Sequence, residues 1–157
     1  MKGSRVLNVQ GVKNTIKNKI PKEIEKEVEK TIAESLLRIE TRAKSKVQKG
    51  PATGKVYKRG DKTHVASAPG QSPATDTGRL VSNIKHLVFK GKIGGEVGVF
   101  GAIDGEKQNY GLALELGTST ILARPFLFPA FEEFKPEIRK KINRAIRRAA
   151  INARRRK

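Results

Sequence analysis

The 157-residue chain has no cysteine, no tryptophan, two histidines and only 15 acidic residues. Without cysteine there is no disulfide scaffold and no thiolate zinc site, a composition that fits a reducing compartment. His64 and His86 have no partners at metal-ligand spacing. No nucleophile elbow is present, and no serine has a base positioned by the sequence. The adjacent Glu132 and Glu133 point apart if they lie on a helix. A catalytic reading therefore has no constellation to rest on, and no cofactor or metal is expected. The start, MKGSRVLNVQ, carries no signal-like apolar run, and no stretch approaches the length of a membrane span. The expectation is a soluble intracellular protein with no membrane partner.

What the chain has in quantity is positive charge: 34 Lys and Arg give a net +19. Residues 1–20 hold five basic and no acidic side chains, whereas residues 135–157 hold eleven basic and one acidic. Only Tyr110–Phe134 is net negative, with Arg124 set against Glu115, Glu132 and Glu133. A field of this kind favours a polyanion, either nucleic acid or an acidic protein face. The length suits a single domain, 1–157, with one modest core. At 36% hydrophobic and 31% charged residues, ends or arms should project beyond that core.

In chain order, Val9, Val12, Ile16 and Ile20 have a loose helical spacing that makes residues 1–20 a short helix or an arm. Pro21 suits the first position of a long helix over 21–49. Its face is Ile24, Val28, Ile32, Leu36, Ile39, Ala43 and Val47, and Gly50-Pro51 stops it. Lys30–Glu34, Glu34–Arg38 and Glu40–Lys44 are candidate (i, i+4) pairs, each contributing tenths of a kcal/mol. Such a helix, roughly 42 Å long, lies on its own sheet or serves a partner subunit, the former being the simpler reading.

Residues 50–78 read as a long loop containing a hairpin, with Lys55–Arg59 and Lys62–Ala66 flanking a Gly60-Asp61 turn. The following ASAPGQSPATDTG denies regular structure. From Ile84 the pattern turns strand-like through IKHLVFK, EVGVFG and AIDGEKQ, a meander with glycine-rich connections. GKIGGEVGVFG lacks the order of a phosphate-binding loop, and hairpin glycines explain it better. Residues 79–134 thus combine a sheet with the densest apolar stretch: Leu112, Leu114, Leu116, Phe126, Leu127, Phe128, Phe131 and Phe134.

Around Leu112–Leu116 the spacing fits a strand or a helical turn equally. Glu115, amid apolar neighbours, needs a partner if buried, and Arg124 is the nearest unpaired cation, with Thr118 offering a hydroxyl. Arg124-Pro125 and Phe128-Pro129 constrain the backbone, so Phe126 and Leu127 are expected as presented anchors. The last helix should begin near Ala130 and kink or restart at Pro136. Ile138, Ile142, Ala145, Ile146, Ala149 and Ala153 form one face of it, and Lys140, Lys141, Arg144, Arg147 and Arg148 lie on the other. The bland reading is a solvated helix with cations near its C-terminus. The sharper one makes those five the candidates to face DNA.

Two sets of short motifs carry a family resemblance. Ala68-Pro69-Gly70, Pro73-Ala74 and Thr77-Gly78-Arg79-Leu80 are followed by Tyr110-Gly111, Glu115-Leu116-Gly117-Thr118 and Ala123-Arg124-Pro125-Phe126-Leu127-Phe128-Pro129-Ala130. In this order and spacing the chain resembles the small neck proteins of long-tailed bacteriophages, the head–tail joining, tail-completion or minor tail components. The resemblance covers nearly the whole chain. It implies an α+β fold, with a long N-terminal helix packed on a small antiparallel β-sheet and a basic C-terminal helix. It implies a non-enzymatic virion component at the head–tail junction, present in host cytoplasm during assembly. It also implies a ring of copies, often a hexamer, which meets connector or head-closure proteins on one side and tail-terminator or tail-tube proteins on the other, with double-stranded DNA in the lumen. The heavily basic C-terminus departs from the family pattern. The residues expected at subunit contacts are Pro69, Gly70, Thr77, Gly78, Leu80, Glu115, Gly117, Thr118, Arg124, Pro125, Phe126 and Leu127. The competing expectation is a stand-alone basic nucleic-acid-binding protein that uses the last helix, although the chain lacks interleaved exposed aromatics for base stacking.

Overall fold

A computed structural model describes residues 22–101 and 110–155; of Glu23, Arg59 and 153–155 only the backbone is described. The expected arm over 1–20 and the strand AIDGEKQ fall outside those residues. The chain order is α1 (Lys22–Gln48), β1 (Val56–Arg59), β2 (Lys62–Val65), α2 (Arg79–Asn83), β3 (Ile84–Val88), β4 (Gly95–Val99), α3 (Tyr110–Leu116) and α4 (Leu127–Arg155). The architecture is α+β: a long N-terminal helix, two separate two-stranded antiparallel sheets and a long C-terminal helix.

All seven apolar positions of the α1 face are buried, as their spacing requires. Ser35 interrupts that face at no loss, because its hydroxyl donates to the Thr31 carbonyl at 2.7 Å. The buried stripe packs chiefly on α4 and also on β3 and β4. From the rest of the chain Leu80, Ile84, Val97, Leu114, Phe126, Leu127, Ala130, Ala145 and Ala149 complete the core. The partner of α1 is thus a helix as much as a sheet.

β3 and β4 pair from Ile84 opposite Val99 to Val88 opposite Gly95. The outward N–H of His86 donates to the Glu40 carboxylate of α1 at 2.9 Å, which satisfies an edge donor that the sheet leaves open. Glu40 also accepts from the His86 ring and from Lys44. Burial pushes the Glu40 carboxyl up, but the bonds from Lys44 and His86 outweigh it and hold the group below the usual carboxylate range. The β1–β2 hairpin turns at Gly60-Asp61, with Arg59 opposite Lys62, and contributes no residue to the core.

Two expectations about the C-terminal half are corrected. α4 begins at Leu127, not Ala130, and runs through Pro136 without a restart. Phe126 and Leu127 are core residues of their own chain. They sit in the core at the start of α4, so they are not presented outward as anchors. Leu80 and Glu115 are likewise enclosed.

Candidate functional site: a cleft built by dispersed motifs

The segment between α3 and α4 is folded by backbone bonds to its surroundings. Gly117 adopts φ +78° and donates to the Ala113 carbonyl at 2.9 Å, which closes α3 with a left-handed residue that glycine takes without a Cβ penalty. Thr118 Oγ1 accepts from the N–H groups of Thr120 and Ile121 at 3.2 and 3.0 Å, forming a tight turn. The Arg124 N–H then donates to the Leu114 carbonyl at 2.6 Å and brings the chain back along α3. Gly111 is needed for close approach: a Cβ there would lie 2.5 Å from the Val99 side chain.

This segment clamps the loop before α2. Gly70 donates its N–H to the Ala123 carbonyl at 2.8 Å, and Arg124 Nε donates to the Ser67 carbonyl at 3.1 Å. Arg124 therefore does not pair with Glu115 as its sequence position suggests. The Glu115 carboxylate instead accepts from the N–H groups of Phe126, Leu127 and Phe128 at 2.9, 2.9 and 2.7 Å. Three charge-assisted bonds at the positive end of a helix satisfy a buried carboxylate more completely than one guanidinium.

The result is a cleft of about 400 Å³ between the hairpin, the loop 73–79, α3 and residues 121–124. Of the residues expected to be functional, Thr77, Gly78, Leu80 and Arg124 line it. Pro69 and Gly70 are exposed on the clamped loop, and Thr118 is exposed in the turn, while Gly117 and Pro125 are half-buried beneath. The walls also include Tyr57, His64, Asp76 and Tyr110, none of which was among the residues expected at subunit contacts. His64 Nδ1 stands 3.9 Å from Asp76 Oδ1. The motif spacing held a signal for this gathering, since Thr77-Gly78 and Tyr110-Gly111 belong to the same dispersed pattern. Among the described residues no group of three or more His, Cys, Asp or Glu side chains gathers as a metal site. No helix among them is long and apolar enough to cross a membrane.

Beside the cleft, the same segment exposes large apolar side chains. Leu116 is 68% exposed, Leu122 66% and Phe128 52%, within a stretch of 13 residues that a solitary chain gains nothing by displaying.

The cations of α4 lie elsewhere and divide in two. Lys141 is half-buried and pairs with Glu137 at 3.1 Å. Lys140, Arg144, Arg147 and Arg148 are exposed. Comparison with protein-family models, with curated proteins and with solved structures finds no match for this chain.

Proposed function

We propose that this chain is a structural virion protein of the phage head–tail junction, a neck or tail-completion component that performs no bond-breaking. Copies assemble into a ring that joins the capsid connector, or a head-closure protein, to the tail terminator or tail tube. Duplex DNA passes through its lumen. Assembly takes place in the host cytoplasm and the product resides in the virion. One observation carries this reading: motifs scattered over Ala68–Ala130 fold into a single clamped unit that leaves Leu116, Leu122 and Phe128 outward. Exposed apolar residues on a rigid, backbone-tied platform suit burial against another protein better than they suit solvent.

Size-exclusion chromatography with light scattering tests it directly. The expectation is a closed oligomer, alone or on adding the neck partners, which Leu116→Asp with Leu122→Asp dissociates while helical circular dichroism is unchanged. A strict monomer under all these conditions would remove the reading. A monomer that nonetheless binds DNA would favour the alternative, a stand-alone nucleic-acid-binding protein.

A further inference from the structure

The charge on α4 is sorted along its length by its neighbour. Its acidic residues are all in the first half and all engaged: Glu132 by Lys135, Glu133 by Arg42 and Lys46, Glu137 by Arg38 and Lys141. Glu137 is the last acid in the chain. Beyond it, Arg139, Lys140, Arg144, Arg147 and Arg148 are exposed, and no ion pair among the described residues engages them; Arg139 lies off to one side of the other four. At 100° per residue the four fall within an arc of about 100°, turned away from the buried Ala145 and Ala149. Along the axis they span about 12 Å.

We infer that this outward face of α4 is a sequence-independent contact for the phosphate backbone of duplex DNA, a role that rests on the ring reading only for the DNA's place in the lumen. Three features choose the occupant. The face is a straight line of charge on a rigid helix, and a duplex presents about seven phosphate charges over the same 12 Å. Three of its four cations are arginines, whose planar forks bind phosphate oxygens bidentately. Residues 135–157 contain no Phe, Tyr or Trp, so the face offers no platform for unstacked bases of a single strand. An acidic protein fits less well. A stable protein contact needs a desolvated apolar centre, and Ile151 is the only large exposed apolar residue beside these cations among those described.

The test is fluorescence anisotropy of the full-length chain with a mixed-sequence 30-base-pair duplex across a salt series. Affinity should fall log-linearly with salt, and Arg144→Gln with Arg147→Gln should reduce the slope by roughly two for each subunit engaged. Lys90→Gln with Lys92→Gln, which removes the same charge from the exposed turn between β3 and β4, should leave the slope as it is. Equal weakening by both double variants would overturn the inference, because it would reduce binding to net charge alone. So would a slope unchanged by Arg144→Gln with Arg147→Gln, or binding of poly-glutamate with the same dependence on these arginines. Particle mass is read in parallel. A chain that stays monomeric yet shows the arginine-dependent slope retains this contact and loses the ring.

Discussion

Glu115 supplies a helix cap that the local sequence of α4 lacks. An α-helix leaves its first four N–H groups without an acceptor. For α4 these belong to residues 126–129, and none of Phe126, Leu127, Phe128 or Pro129 has a side chain able to accept. Pro129 removes one donor by having no N–H. The Glu115 carboxylate takes the remaining three, so the buried start of the helix is fully satisfied. The sequence revealed that Glu115 would need a partner, but not which one. Proximity along the chain favours Arg124; the backbone donors win because they are already fixed by the helix and need no long side chain to be ordered. Glu115→Gln should put an amide N–H₂ against donors and lose one or more of these bonds. We expect a cost of about 2 kcal/mol, seen as a melting temperature lower by about 4–8 °C in a circular-dichroism melt. An unchanged melt would show that water caps the helix equally well.

At the scale of elements, α1 and α4 are registered by a ladder of opposite charges over the apolar seam. Arg42 and Lys46 both reach Glu133, each at 2.6 Å, and Arg38 and Lys141 reach Glu137. The Arg38 guanidinium also lies 4.8 Å from the centre of the Phe134 ring. The rising numbers on α1 meet falling numbers on α4, so one antiparallel alignment satisfies both rungs. Local spacing made the α1 stripe legible, since all seven predicted positions are buried. Of the three charge pairs it assigned, only Glu40–Lys44 forms as spaced: Arg38 crosses to α4, and Glu34 has no ion pair among the described residues. A rule of four residues along one helix carries no information about which helix lies opposite. The ladder also sets an acid response. Bonds from Arg42 and then Lys46 lower the Glu133 carboxyl to about 2. A depressed folded value gives stability that is complete above the unfolded value, about 4.3, and that is lost as pH falls towards 2. Glu133→Gln should therefore flatten the dependence of melting temperature on pH between about 4.3 and 2. At neutral pH it should lower the melt by the same amount that the flattening removes, which is small because the pair is exposed and screened. An unaltered acid profile in the variant would assign the acid response to other carboxylates.

For the molecule as a whole, the β1–β2 hairpin is the feature that a solitary chain explains least. A two-stranded ribbon is marginal in water unless something packs on it. This one places no residue in the core and leaves Val56 and Tyr57 exposed on its first strand. Its base is nevertheless fixed: Gly54 and Ala66, then Ala66 and Lys55, are joined by backbone bonds of 2.7 and 3.0 Å. The hairpin position was legible from Gly60-Asp61 and its flanks, but its detachment from the core was not, because alternation and turn residues look the same in a packed ribbon and a projecting one. Beyond its base the hairpin meets its own chain through His64, 3.9 Å from Asp76 at the wall of the cleft; in the head-to-tail ring proposed above, every copy would offer such a ribbon and receive one. Replacing 56–65 by a two-residue Gly-Ser turn would keep the Lys55–Ala66 closure and remove no core side chain. The shortened chain should melt within about 3 °C of the parent, since changes away from core, caps and buried polar groups cost little. Mass photometry should find it monomeric where the parent forms rings. If the shortened chain assembles normally, the hairpin is dispensable and the contacts between copies lie with Leu116, Leu122 and Phe128 alone; if it unfolds, the ribbon supports its own domain after all.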